Sequence, residues 1–169
     1  MKSNFYAHRG NLYGPNPEQE NKIEYIEQAI NLGFNVEVDV WYNQDGNYYL
    51  GHDFPQYLIS KEYLFERADK LLVHAKNNET FLKLYSKKIN IFLHTTEKSV
   101  LTSKNNIIFH PDYYPTENIP LFAIFSMPEL SQIKPSFDRG IITDYASTLN
   151  DYLETKTPEL ANLLPENLR

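Results

Sequence analysis

The chain has 169 residues, of which 41% are hydrophobic and 22% charged, carries a formal net charge of −6 and contains no cysteine. This size and composition predict one globular domain over residues 1–169 and exclude a disordered or fibrous chain. The lack of cysteine excludes disulfides, thiolate nucleophiles and cysteine-bound zinc, and the negative charge argues against nucleic acid and anionic membranes as partners.

The sequence contains neither a recognisable secretory leader nor a membrane-spanning segment. No stretch approaches the roughly 20 apolar residues that a bilayer requires. The first ten residues turn polar before an apolar signal core could form. We therefore expect a cytoplasmic protein that does not insert into membranes, and the sequence leaves its oligomeric state open.

The first 41 residues have the pattern of a βαβ unit. A short strand over residues 4–7 precedes a loop rich in proline and glycine. Asn21 is suited to cap a helix over about residues 22–32, and Gly33 ends it. A second strand begins at residue 35, so parallel strands joined by a right-handed crossover are expected.

This second strand alternates strictly between two kinds of residue. Three valines point to one face, and Glu37, Asp39 and Trp41 point to the other. A turn over residues 43–47 is predicted to return the chain as a hairpin towards His52. An isolated Glu-x-Asp is commonly a half-exposed strand, whereas two carboxylates that face an interior stay ionised only with a cation between them.

The later part of the chain continues to alternate between predicted strands and helices, but the links between them are shorter. Strands are predicted over residues 71–76, 89–94, 106–109, 121–125 and 140–143, and helices over residues 61–70, 78–87, 128–133 and 157–164. The links before the strands at 106 and 121 hold only about ten residues, fewer than a crossover helix needs. The pattern predicts an α/β fold, a reduced or irregular (β/α) TIM-type barrel with some crossover helices missing.

Each histidine of the chain follows directly on, or closes, a predicted strand: these are His8, His52, His74, His94 and His110. In parallel α/β folds, loops converge and sites are built at the carboxyl ends of the strands. A lone histidine is usually a satisfied core or surface residue, but five at equivalent positions indicate a site.

Five short motifs follow one another between residues 5 and 53: His8-Arg9-Gly10, Glu20-Asn21, Glu37-Val-Asp39-Val, Asp45-Gly46 and His52-Asp53. Further along, Gly140-Ile-Ile-Thr-Asp144-Tyr forms a sixth. Together they resemble the signature of the glycerophosphodiester phosphodiesterases. The barrel of that family is similar to those of phosphatidylinositol-specific phospholipase C and the spider-venom phospholipase D enzymes, so the resemblance implies a barrel of this type.

The resemblance implies a role for each matching residue. Glu37 and Asp39 would bind a divalent cation, and Arg9 would bind the phosphate with its paired donors. His8 and His52 would be the catalytic acid and base, and which does which stays open.

The third strand departs from the family, which usually has Glu-x-Lys there. This chain has His74-Ala75-Lys76. Lys76 matches the family lysine in the substrate site, while His74 either binds the metal directly or leaves its place to water. One divalent ion is expected, Mg, Ca, Mn or Zn, and a nitrogen ligand favours zinc or manganese. The chain is also shorter than the family barrel.

Four further side chains lie outside the motif roles described above. His94 and Trp41 are predicted to line the substrate pocket, although Trp41 fits core packing equally well. His110, in the sequence His-Pro-Asp, is expected to be exposed and idle, and Asp144 either orients a ligand or caps the segment after its strand.

The expected activity is metal-dependent hydrolysis of a small phosphodiester, either glycerophosphodiester-like or linked to a sugar or polyol. Short His-Ala-Lys-Asn variants of the fold suggest bacterial surface-polysaccharide metabolism as a setting. Two other functions remain open: an inactive protein that holds a phosphorylated ligand, and a lyase that forms a cyclic phosphate.

Overall fold

The computed structural model describes residues 2–110, 123–126 and 140–155. The described strands are β1 (Phe5–His8), β2 (Asn35–Tyr42), β3 (Tyr48–Leu50), β4 (Tyr57–Ile59), β5 (Leu71–Ala75), β6 (Asn90–Leu93), β7 (Ser99–Leu101), β8 (Ile107–Phe109), β9 (Ala123–Ser126) and β10 (Gly140–Thr143). The described α-helices are α1 (Ile23–Asn31), α2 (Lys61–Glu66), α3 (Asn78–Leu84) and α4 (Ala146–Thr155).

The described strands form one open, mixed sheet. Seven parallel strands lie in the order β6-β5-β2-β1-β10-β9-β8, and β7 is antiparallel to β8. The β3–β4 hairpin pairs antiparallel with the last residues of β2, beyond the point where β1 ends. The hairpin therefore extends the sheet at the carboxyl end of β2.

The prediction of a reduced (β/α) TIM-type barrel is wrong. A barrel needs a strand ladder that closes on itself. Among the described strands, β6 pairs only with β5, and the outer edge of β8 pairs with β7. The short link between β6 and β8 holds β7 and turns instead of a crossover helix, and only four α-helices occur in the described residues.

Loop and side-chain contacts connect the two edges of this open sheet. Ser103 donates its backbone N–H to the carbonyl of Ile91 at 2.9 Å and its hydroxyl to the carbonyl of Ile89 at 2.6 Å. The side-chain amide of Asn90 donates to Asn106 Oδ1 at 2.9 Å. The sheet therefore curves strongly enough to bring β6 near β7 and β8.

The main core lies between the sheet and its helices. Buried residues of the helices pack with the valines of β2 in this core: Ile26, Ala29, Leu64, Leu84, Leu149, Val36, Val38 and Val40. A smaller cluster, with one residue from each of five parallel strands, contains Leu72, Phe92, Ile108, Ile124 and Ile142. Because Glu37 lies beside Leu72 in the β2–β5 register, the acidic face of β2 is on the side of the smaller cluster.

Several local predictions are confirmed and others need adjustment. Asn77 caps α3 by accepting a hydrogen bond from the Thr80 N–H, and Gly33 takes a φ of +95° just after α1. Helices α2 and α3 end earlier than predicted. The helices predicted over residues 128–133 and 157–164 lie outside the described residues. Within the described part of the chain, no helix is long and apolar enough to cross a membrane.

Candidate active site

Strand register brings the predicted site residues to one face of the sheet. His8 pairs with Glu37 across β1 and β2, and Asp39 pairs with His74 across β2 and β5. Paired residues of neighbouring parallel strands present their side chains to the same face. The two carboxylates of β2 therefore have an imidazole on each side.

Glu37, Asp39 and His74 form a compact cluster at this face. One ligand atom from each lies within 4.8 Å of the others, so the three residues could hold a metal ion. His74 Nδ1 is 3.0 Å from Asp39 Oδ1 and 3.7 Å from Glu37 Oε1. The side chains of Glu37 and Asp39 are 4% and 1% exposed, and Glu37 Oε2 has no hydrogen-bond partner among the described residues.

Asp39 is surrounded by cations in addition to His74. Arg9 Nε lies 3.0 Å from Asp39 Oδ2, and Lys76 Nζ lies 3.3 Å from Asp39 Oδ1. Arg9 is held by Glu20 as well, through a bond of 2.9 Å from its Nη1. Both predicted phosphate-binding cations thus lie against the carboxylate cluster.

Asn21 makes hydrogen bonds to Asp39 and does not cap α1, so the prediction of a helix cap at Asn21 is wrong. Its amide nitrogen donates to Asp39 Oδ2 at 3.1 Å, and its Oδ1 accepts the Asp39 N–H at 3.0 Å. Lys22 takes the cap position without a side-chain hydrogen bond. Asparagine is suited both to cap a helix and to bind a carboxylate, so residue type alone does not distinguish the two roles. The Glu20-Asn21 motif was the only sequence signal that Asn21 belongs to the site.

The pKa values of the two buried carboxyls, Glu37 and Asp39, shift in opposite directions. Burial raises the pKa of Asp39, but the hydrogen bond from His74 and the charges of Lys76, His74 and Arg9 hold it well below its ordinary value. Burial raises the pKa of Glu37, and the charge of Asp39 raises it further. A cation between them would relieve that repulsion and favour ionised Glu37.

His8 is anchored by Asp144, which follows β10. His8 Nδ1 lies 2.7 Å from Asp144 Oδ1, while His8 Nε2 lies 3.9 Å from Glu37 Oε2. Asn11 donates a second hydrogen bond to Asp144 at 2.9 Å. A carboxylate at one ring nitrogen fixes the orientation of the imidazole and leaves the other nitrogen for proton transfer. Asp144 is therefore a positioning residue for His8; Asn11 was not predicted.

The pKa values of His8 and Asp144 shift in the directions expected for an ion pair. Burial lowers the pKa of His8, but the hydrogen bond to Asp144 and the charges of Glu37 and Asp144 outweigh it and raise the pKa above 6.5. Burial raises the pKa of Asp144, but the hydrogen bond and charge of His8 outweigh it and bring the pKa below 3.8.

Asp144→Asn is expected to lower the free energy of unfolding most between about pH 4 and pH 6.5. The contribution of His8 is complete below about pH 6.5 and is lost as the pH rises through its raised pKa. The contribution of Asp144 is complete above about pH 4 and is lost as the pH falls through its lowered pKa. Urea denaturation of wild type and variant across this range measures the difference, and a difference independent of pH would contradict the pairing.

His52 lies on the loop after β3 and faces the same cavity as His8 and Arg9. The cavity has a volume of about 500 Å³. Its other lining residues are Pro15, Pro17, Glu20, Asn21, Asp53, Phe54, Gln56 and Asp144. Burial and the charge of Arg9 lower the pKa of His52, against an opposing effect of Asp39. Near neutral pH its imidazole is therefore mostly neutral.

Trp41 is predicted to line the substrate pocket. In the structure it makes a hydrogen bond that stabilises the loop that carries His52. Its indole N–H donates to the carbonyl of Gly51 at 2.7 Å. Gly51 has a φ of +148°, and a Cβ atom there would collide with the carbonyl oxygen of Phe54. The geometry of this loop thus depends on both residues.

Trp41→Phe is expected to lower turnover about tenfold by loosening the loop next to His52. The lost hydrogen bond should also reduce the free energy of unfolding by about 1 kcal/mol. Tyr49→Phe is a matched control, because it removes an exposed hydrogen bond to Asp45 on the same hairpin. Equal turnover in both variants would contradict this role of Trp41.

His94 and His110 stack on each other at the ends of β6 and β8. Their ring centroids are 3.7 Å apart, and the centroid of His94 is 6.3 Å from that of His74. His110 is partly buried, so the expectation of an exposed side chain is wrong. Burial lowers the pKa of His110 to about 4, and the charges of His94 and His74 add to this effect.

No protein-family model matches the sequence, and no curated protein matches it either. The resemblance to glycerophosphodiester phosphodiesterases therefore depends on the motif residues alone. The structure brings the predicted metal ligands together and puts His8, Arg9 and His52 around one cavity.

Proposed function

We propose that this protein is a metal-dependent phosphodiesterase that hydrolyses a small glycerophosphodiester-like or sugar- or polyol-linked phosphodiester. The observation that carries the proposal is the cavity that His8, Arg9 and His52 line together. Two imidazoles and a guanidinium are the groups needed to move protons and to hold an anionic phosphodiester. A protein that only binds its ligand does not need two imidazoles at one cavity.

The carboxylate cluster fits a divalent cation. Glu37 and Asp39 supply oxygen ligands, and His74 supplies nitrogen. No described group donates a hydrogen bond to the buried Glu37 Oε2. Burial and the charge of Asp39 raise the pKa of Glu37, so a positive neighbour would stabilise its ionised form. When bound there, a divalent cation supplies positive charge that stabilises the phosphoryl oxygens as negative charge builds up on them.

The side chains of the protein account for the other parts of the reaction. Arg9 and Lys76 neutralise the phosphate oxygens. One of His8 and His52 removes a proton from water as the water oxygen bonds to phosphorus, and the other protonates the alcohol oxygen as its phosphorus bond breaks. Asp144 holds His8 in orientation throughout. The products are a phosphomonoester and an alcohol.

Phosphorus NMR provides a direct test of this activity. The protein is incubated with glycerophosphodiesters, nucleoside-diphosphate-linked polyols and cyclic phosphates, each with Mg²⁺, Ca²⁺, Mn²⁺ or Zn²⁺. The expected result is conversion of one diester class to a phosphomonoester. Accumulation of a cyclic phosphate would instead indicate a lyase.

A phosphate-ligand-binding protein is the second candidate, and the pairing of Asp39 favours it. Arg9, Lys76 and His74 already balance the charge of this carboxylate without a metal. Such a protein would bind a phosphodiester in the same cavity but release no product. Tight ligand binding with no turnover under any metal would replace the enzyme proposal with this one.

A further inference from the structure

The imidazole of His74 is fixed in position by protein packing. Its ring stacks on Phe92 of β6 with centroids 4.6 Å apart and planes 8° apart. Phe92 is buried in the smaller core cluster, and the side chain of His74 is only 16% exposed. Its Nδ1 therefore stays directed at the two carboxylates.

Two separations within the cluster are close to those between ligands of a single small ion. His74 Nδ1 lies 3.0 Å from Asp39 Oδ1 and 3.7 Å from Glu37 Oε1. Ligands that bind one ion at about 2.0–2.2 Å lie roughly 3–3.6 Å from each other. Within the part of the chain that the structure describes, Glu37 Oε2 accepts no hydrogen bond although this side chain is only 4% exposed, which is a second sign that a cation belongs here.

The donor set separates this cluster from an all-oxygen site. Mg²⁺ and Ca²⁺ are hard cations that prefer oxygen ligands. Imidazole suits later divalent metals, whose affinities rise from Mn²⁺ through Co²⁺ and fall again after Cu²⁺ to Zn²⁺. One nitrogen among three protein ligands therefore widens the difference in affinity between these metals and Mg²⁺ or Ca²⁺.

We propose that His74 Nδ1 is a direct metal ligand and that it makes the site select Co²⁺, Zn²⁺ and Mn²⁺ over Mg²⁺ and Ca²⁺. The inference rests on the metal site of the proposed function and specifies its metal class. It assigns selectivity to one side chain, so exchange of that side chain changes the metal preference. His74→Glu supplies a third carboxylate and converts the donor set to oxygen alone.

The test measures metal binding and does not depend on turnover. Isothermal titration of the metal-free protein with each of the five ions is expected to give affinities at least tenfold higher for Co²⁺, Zn²⁺ and Mn²⁺ than for Mg²⁺ and Ca²⁺. Electron spin echo measurements on bound Mn²⁺ are expected to show a directly coordinated ¹⁴N nucleus. Glu37→Gln should weaken binding of all five ions.

The variants identify the nitrogen. His74→Glu and His74→Gln are both expected to lose the ¹⁴N signal, and His74→Glu should bring the Mg²⁺ and Mn²⁺ affinities within tenfold. His110→Gln is the matched control, and it should keep the signal and the selectivity of the wild type. Should His74→Glu fail to fold, the wild-type signal and its loss in His74→Gln still decide the assignment.

Several outcomes would overturn the inference. They are the absence of ¹⁴N coupling in the wild type, its persistence in His74→Gln, equal affinities for the five ions, and no binding of any ion. Nitrogen-ligated binding without hydrolysis of any diester would support the inference and overturn only the proposed activity. Hydrolysis of a diester with an ion that only oxygen atoms bind would support the proposed activity and overturn the inference about His74.

Discussion

His8→Ala and His52→Ala are each expected to lower phosphodiester turnover by about 10²–10⁴-fold while the fold stays intact. Both imidazoles line the cavity that contains Arg9, so each can reach a phosphodiester bound there. Loss of either histidine removes one of the two proton transfers. Turnover would be measured at saturating metal with the diester that phosphorus NMR identifies.

His110→Ala is the control for this pair of variants. It removes an imidazole from the stacked pair at the ends of β6 and β8 and not from the cavity. Its turnover should stay within a few-fold of the wild type, and circular dichroism should show that all three variants are folded. Wild-type turnover in a folded His8→Ala or His52→Ala variant would exclude that histidine as a catalyst.

Asp39→Ala is expected to reduce the free energy of unfolding of the metal-free protein by about 3–5 kcal/mol. This carboxylate is the common partner of Arg9, His74, Lys76 and Asn21, and its side chain is 1% exposed. Its removal takes away the carboxylate that contacts three mostly buried basic side chains, which costs far more than loss of an exposed ion pair. Urea denaturation with a metal chelator present gives the comparison.

Glu37→Gln is the matched variant, and it is expected to change the stability of the metal-free protein little. The raised pKa of Glu37 means that the fold already disfavours its charge, and one of its oxygens accepts no hydrogen bond from the residues that the structure describes. A neutral amide of the same shape removes that penalty. Equal losses in Asp39→Ala and Glu37→Gln would contradict the different electrostatic surroundings of the two carboxyls.

The sequence was most informative about β2 and its neighbours. Strict alternation over residues 36–40 puts Glu37 and Asp39 on one face, and this depends only on the geometry of an extended chain. The turn at Gly46, which has a φ of +84°, produced the predicted hairpin. Patterns of this kind are local, so composition and spacing are enough to find them.

Closure of the sheet could not be predicted in the same way. Whether β6 pairs with β8 depends on contacts between segments that do not adjoin in sequence, and β7 occupies the outer edge of β8 instead. The short link between β6 and β8 correctly indicated a missing helix, but the step from there to an irregular barrel was wrong. Alternation of strands and helices does not specify which edges meet.

The sequence also did not show which distant residues contact the site residues. His8 and Asp144 are 136 residues apart in sequence, and their hydrogen bond depends on the β1–β10 pairing. Asn21 looked like a helix cap because capping and carboxylate binding need the same amide group. In both cases residue type limited the possible roles, and only tertiary structure decided between them.

The alternation of β2 ties folding and chemistry to the same few residues. Its valines pack in the main core, while Glu37 and Asp39 between them face the opposite side. Insertion or deletion of one residue within the strand would turn the carboxylates into the core and the valines towards the cavity. A register shift of β2 by a single position would therefore disrupt the main core and the carboxylate cluster together, whereas changes of length in the connecting loops leave both in place.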